Sequence, residues 1–355
     1  MEFNKNKIML IFCIALIFNA RTVFGADKWL DLCHEADDLV KKGQFQEAYV
    51  VQKNAVKESK SFFFNGRNTK LAYALYQLGD ICMTLKNYDE AETSYSKSSD
   101  IYLSALGDSC DYLATAYRGL GNVYHETSRL VQSEEYLNKA ISIYVKNHDT
   151  CYEDAIGARS VLGQVYLEEK KYELAKNGYL ESLNCFNKEN VSFENQAYIY
   201  SQLGLIIYYE QNDYKSSEDY LKRALDLDKS DSSTENVQHQ VGHLSILAPV
   251  YFVDKKFKMS EEIDRKLLQL TSSHPESYYL ERSRAYLSFA QNEMFLKNKV
   301  KSEKYLKQAL DEYSRIVSAT VEDRKGFLDI CSTVYGWFGD KDKQQFVQGM
   351  LDKLN

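Results

Sequence analysis

Two histidines stand four residues apart in the stretch His239-Gln240-Val241-Gly242-His243. That spacing can hold a zinc ion between two imidazoles on one helical face. It nearly matches the zinc-protease pattern HExxH, but Gln240 replaces the glutamate that would act as base. Gly242 weakens a helix at this point and no third ligand is evident, so the stretch reads as a surface linker. Cys33-His34 has no nearby partner of a ligating type. Cysteines 33, 82, 110, 151, 185 and 331 follow the N-terminal segment without a CxxC among them, so no redox or zinc motif is visible. There is no glycine-rich phosphate loop and no nucleophile elbow. The residues therefore suggest no catalytic centre, no metal and no cofactor, and the chain reads as something other than an enzyme.

The elements that would carry any site start after a leader. Met1–Ala26 places Lys5 and Lys7 ahead of an 11-residue apolar run, Ile8–Phe18, and then the small-residue exit Val23-Phe24-Gly25. This is the layout of a secretory signal, with cleavage expected after Gly25. The run is short of the ~20 residues that span a bilayer, and no later segment has the length and apolarity to do so. Residues 1–25 are read as a signal peptide and the mature chain as secreted or periplasmic, with no stable membrane span. Removing residues 1–25 takes away three basic groups and one acidic group, leaving 41 against 50 and a net charge of −9. An acidic chain is a poor match for nucleic acid or an anionic membrane, both of which favour basic surfaces.

Glycine and proline are scarce, at 16 and 2, and tyrosine is abundant at 28, a composition that favours helix nearly throughout. Within it a pattern recurs. Gly79, Gly121, Gly163 and Gly204 are spaced by 42, 42 and 41 residues, and the same register reaches Ala36 upstream and Ala248, Ala290 and Cys331 downstream. Phe45, Tyr88, Leu130, Tyr172, Tyr214 and Phe257 follow each marker by nine or ten. Small residues follow these: Ala48, Ala91, Ser133, Ala175, Ser217 and Ser260. Then Tyr95, Leu137, Tyr179 and Leu221 precede Ser98, Ala140, Ser182 and Ala224. Each unit reads as two amphipathic helices joined by a tight turn, with the small residues where the helices cross. A glycine there gives up ~1 kcal/mol of helix propensity for close packing. One unit cannot bury its own apolar face, so the units must stack. Cys110 and Cys151 fall in corresponding linkers of adjacent units and are the most plausible disulfide, although six cysteines leave 15 full pairings open. Cys82 lies on an apolar face and reads as a buried thiol. Pro249 is expected to kink the helix it falls in or to mark a late start, and Pro275 suits a first helical position.

The units resemble tetratricopeptide repeats. The match is LGDIC…Tyr88…Ala91…Tyr95…Ser98 and YRGLGNVY…Leu130…Ser133…Leu137…Ala140. The 42-residue period is similar to that of kinesin light chain repeats. The resemblance implies an all-α fold, a right-handed α-α superhelix of about eight helical pairs over 26–355, most regular at 72–228 and degenerate at 243–355. It is expected to be one domain with a soft boundary near 229–242. In such solenoids the first helix of each unit lines the groove. That places Tyr73, Tyr76, Asp80 and Met83 of the second unit, Arg118, Asn122 and His125 of the third, Gln164 of the fourth, and Tyr198 and Tyr208 of the fifth toward it. Asn122 and Gln164 stand one repeat apart, where amides can pair with an extended peptide backbone. The implied role is a non-catalytic scaffold binding a protein or extended peptide. The alternatives are a structural or self-associating component of an extracytoplasmic assembly and a sensor-type module acting in trans.

Overall fold

The computed structural model describes residues 28–60, 68–148, 152–185, 193–228, 236–316 and 321–353. The leader expected at 1–25 and Cys151 lie outside them. Every regular element among the described residues is helical. Helix α1 covers 28–41, followed by α2 (Phe45–Ser59), α3 (Thr69–Thr84), α4 (Tyr88–Leu106), α5 (Asp111–Glu126), α6 (Leu130–Asn147), α7 (Glu153–Glu168) and α8 (Tyr172–Cys185). Next come α9 (Phe193–Gln211), α10 (Tyr214–Asp228), α11 (Asn236–Val253) and α12 (Phe257–Leu270). A 3-10 turn, Pro275–Ser277, leads into α13 (Tyr279–Phe295), α14 (Lys299–Ser314), α15 (Val321–Trp337) and α16 (Lys341–Asp352). The chain forms two compact units divided between Glu189 and Asn190, ahead of the polar stretch at 229–242, whose later residues already belong to α11.

Within unit 1, helices α2 to α8 each pack on the next in sequence, and α3, α5 and α7 also touch one another in turn. In unit 2, α11, α13 and α15 touch in turn in the same way. Each unit thus has a layer of first helices, on which the second helices pack.

The marker glycines explain the packing within a pair. A Cβ on Gly79 would stand 2.6 Å from the Tyr95 ring, one on Gly121 would stand 2.6 Å from Leu137 Cγ, and one on Gly204 would stand 2.8 Å from Leu221 Cγ; Gly163 meets Tyr179 in the same way. The missing side chain is filled by the large residue 16 or 17 positions later. Tyr95 is also met by Gly119 of the next helix, at 2.6 Å, so its ring lies between two glycines. The small serines act through their hydroxyls as well as their size. Ser133, Ser217, Ser260 and Ser302 donate to the carbonyls of Gly121, Gly204, Ala248 and Ala290 at 2.7–3.1 Å.

The turn inside each unit contains one left-handed residue: Gly43, Lys86, Ser128, Lys170, Asn212, Lys255, Lys297 and Gly339. The following amide reaches back five residues, as from Asn87 to the Cys82 carbonyl at 2.8 Å and from Arg129 to Tyr124 at 2.7 Å, which is the Schellman closure of a helix end. Neighbouring units are joined by a recurring clamp. Glu92 accepts from Tyr124 and Arg129, Glu134 from Tyr166 and Lys171, and Glu218 from Tyr251 and Lys256. One period after Glu134 the chain carries Lys176, so the clamp's acid is missing from that register.

Three expectations change. Cys110 is a free thiol, so the pair with Cys151 does not form, and Cys185 is disulfide-bonded instead. Helix α11 runs from Asn236 through Pro249 to Val253, which excludes a late start. The His239–His243 stretch is part of that helix, not a linker. His243 is buried and its Nδ1 lies 2.7 Å from Asp228 Oδ2, and no metal-ligating cluster occurs among the described residues. Cys82 is a buried free thiol, and Pro275 opens the 3-10 turn, both as the sequence predicts.

Candidate functional site

The first helices of unit 1 bring several of the predicted residues together. Tyr76 lies against Tyr95 with ring centroids 5.7 Å apart, and its hydroxyl bonds both Asp80 and Arg118. Tyr95 donates to Asp80 Oδ1 at 2.5 Å. Arg118 continues the row to Asp154 of α7, 3.1 Å away. An acid, a base and an acid thus stand on three successive first helices. Asp80 is an exposed residue whose carboxyl nonetheless sits against the Tyr95 hydroxyl. Burial pushes that carboxyl up to about 6, although bonds from Tyr95 and Tyr76 and the charge of Arg118 oppose the shift. Burial disfavours the Arg118 charge, but Tyr144, Asp154 and Tyr76 outweigh it and hold the guanidinium above its ordinary value. Asp154 entered through no sequence signal, because its contact with Arg118 spans 36 positions and falls at the first turn of α7.

The remaining candidates divide by surroundings. Tyr73 is half-buried, meets Trp29 edge-on at 6.2 Å, and accepts from Gln77, which also donates to Asp37. Met83 packs on the core of α3 and its neighbours. His125 Nε2 lies 2.9 Å from Glu168 of the next unit. Asn122 Oδ1 is buried with no hydrogen-bond partner, which is costly for an acceptor in place. Gln164 and Tyr198 are half-buried. Tyr208 belongs to unit 2, where it packs on Tyr209 and Tyr214 at 5.0 and 6.2 Å and borders a cavity.

This face offers hydrogen-bond donors and acceptors of both charges beside aromatic rings, an arrangement suited to non-covalent binding.

Comparison with known proteins fits this architecture. The family model for the tetratricopeptide repeat matches residues 70–145 and 154–230. The chain is 23% identical over 185 residues to kinesin light chain-related protein 1 of Arabidopsis thaliana, covering 52% of this chain and 30% of that protein. It is 23% identical over 315 residues to the regulatory protein RapK of Bacillus subtilis, covering 83% and 79%. The chain thus spans under a third of the kinesin light chain relative. Among solved structures, a signal transduction ATPase with a tetratricopeptide-repeat sensor from Pyrococcus horikoshii gives a TM-score of 0.66 at 18% identity, over 81% of this chain and 42% of that one. The apo form of RapI gives 0.60 at 17% identity, over 80% and 97%. These likenesses show the fold, a helical-repeat solenoid.

Proposed function

Because this chain is built of tetratricopeptide repeats similar to those of kinesin light chains, we propose that it is a non-catalytic scaffold that docks a protein or extended peptide on the α3–α5–α7 face. The observation that carries the reading is the Asp80–Arg118–Asp154 row beside the unpartnered Asn122 acceptor. A peptide backbone amide would satisfy Asn122 Oδ1, and a carboxylate or carbonyl of the guest would reach Arg118. Arginine and tyrosine are frequent binding anchors. The scaffold acts outside the cytoplasm, a reading supported by the leader pattern at 1–25 and by the disulfide at Cys185. The naming of RapK as a regulatory protein is compatible with a role in which docking controls the guest.

The test uses the mature chain as bait, beside a variant carrying Arg118→Ala and Asn122→Ala. A specific partner whose affinity falls by about 10- to 100-fold in the variant supports the face. Unchanged capture places docking elsewhere.

Self-association is the second reading, and one observation favours it. Phe252, Phe257, Phe295 and Trp337 form a row of ring contacts 5.4–6.3 Å apart, with Phe295 and Trp337 exposed beside Leu296. Light scattering that gives a monomer at all concentrations would remove it.

A further inference from the structure

In unit 2, α11, α12, α13 and α15, with Tyr208 of α9, line an open-sided cavity of about 610 Å³. Its origin can be read from the repeat. Four residues after the small position of successive units stand Tyr95, Leu137, Tyr179, Leu221, Asp264 and Leu306. In the other five the large side chain is buried and fills the space beside the marker residue. Asp264 takes this place opposite Ala248, and both border the cavity. The first unit also has a polar residue at the equivalent position, Gln52, whose amide donates to the Ala74 carbonyl at 2.9 Å while its Oε1, like Asp264 Oδ2, has no partner. Asp264 differs in being an acid that lines a cavity. It is only 2% exposed, Ser288 supplies a hydrogen bond, and its Oδ2 has none. An unpaired acid in place of a core leucine is not what stacking requires, since Leu306 one unit later is fully buried.

The walls set the rest of the chemistry. Phe252, Leu267, Leu287, Phe327 and Ile330 make most of the lining apolar. The charged and titratable groups that face Asp264 are Tyr208 from α9, Glu261 from its own helix, and Glu281 and Arg284 from α13; α11 and α15 contribute none to the lining. Asp264 and Glu281 thus set two acids against the one base, Arg284, in the lining. The volume falls within the ~300–1,000 Å³ usual for small-molecule sites.

We propose that this cavity is a binding site for a small organic amine, its ammonium paired with Asp264 and its apolar body held by Phe252, Leu267, Leu287 and Phe327. Only a cation compensates a buried carboxylate fully, and only an apolar body suits the remaining wall. The site is independent of the docking face in unit 1. Burial pushes the Asp264 carboxyl up to about 8, with the Ser288 bond opposing and the Glu261 charge adding to the shift. Amine binding therefore displaces a proton, and affinity rises as pH climbs toward that value.

The test titrates the intact mature chain with 2-phenylethylamine, its neutral counterpart 2-phenylethanol, and the tripeptide Phe-Gly-Gly, by calorimetry and ligand-observed NMR. The amine should bind about tenfold or more tightly at pH 8.5 than at 6.5, following the carboxylate fraction, and the alcohol should show no such rise. Asp264→Asn should erase the pH dependence and the preference for amine. Asp264→Leu restores the residue type of the neighbouring units, so it should keep the helical dichroism while abolishing binding. Tighter binding of Phe-Gly-Gly would keep the ammonium site and assign it to a peptide terminus instead of a free amine. No binding of the amine, or equal binding of amine and alcohol, would overturn the proposal.

Discussion

Gly79 and Gly178 both lie inside helices, yet the same substitution should move stability in opposite directions. Gly79→Ala drives a methyl into the Tyr95 ring, which is already confined by Gly119, so a loss of about 1–3 kcal/mol is expected from overpacking. Gly178 in α8 has nothing within 4 Å of an added Cβ, and Gly178→Ala should gain about 0.5–1 kcal/mol from helix propensity. Urea midpoints of the two variants decide this, and a shift of the same sign in both would contradict the packing account. Asp80 gives a second residue-scale expectation. Its folded carboxyl, raised from 3.8 to about 6, binds protons that the unfolded chain has already released. Its contribution is therefore favourable in acid and is lost as pH rises across that window. Asp80→Asn should flatten the slope of stability between pH 4 and 6. At this scale the sequence revealed the marker glycines but not their fillers' full register. Asp264 is visible as the one acid in the column of Tyr95, Leu137, Tyr179 and Leu221 once that column is continued. His243 was hidden because its partner, Asp228, lies 15 positions away on another helix, and a four-residue histidine spacing says nothing of that.

At the scale of elements, the turns and the clamps carry the repeat. Lys86 holds φ at 57° in a turn where glycine is unstrained, so Lys86→Gly should stabilise by up to about 1 kcal/mol. The same exchange at Lys97, inside α4, should cost about that much. These left-handed positions recur every 42 or 43 residues, but six of the eight are not glycine, which is why the glycine pattern did not reveal them. The Glu218 clamp makes a pH prediction opposite in sign to that of Asp80. Burial raises its carboxyl, but bonds from Lys222, Lys256 and Tyr251 together outweigh it and hold it down at about 2. The clamp is intact above the ordinary 4.5 and weakens as pH falls toward 2. Glu218→Gln should lose stability at neutral pH and less at pH 2.5, as thermal melts at both values would show. The helix pairs themselves were legible, since apolar spacing and small crossing residues fix them. The tyrosine-to-acid clamps were not, because they join residues 32 to 38 positions apart with ordinary surface charges.

At the scale of the molecule, the period alone gives no place to divide the chain, because every unit looks able to stack on the next. The soft boundary expected at 229–242 rested on polar composition, whereas the compact units meet in sequence at Glu189 and Asn190. In the sequence register the acid of the clamp is replaced by Lys176 ahead of this point, and Asp213 stands where Lys171 would recur. Unit 1 also has its own cores, one around Leu78, Tyr95 and Leu120 and another around Leu113, Ile143 and Tyr144. Residues 26–189 should therefore fold when expressed alone, and 26–168, which removes α8, should be less stable because Tyr179 no longer fills the space at Gly163. Far-ultraviolet dichroism with a thermal melt separates the outcomes. A cooperative transition in 26–189 that weakens in 26–168 fits a self-sufficient unit capped by its last helix. A broad, non-cooperative melt of 26–189 would mean that the repeats after Glu189 are needed to complete its fold.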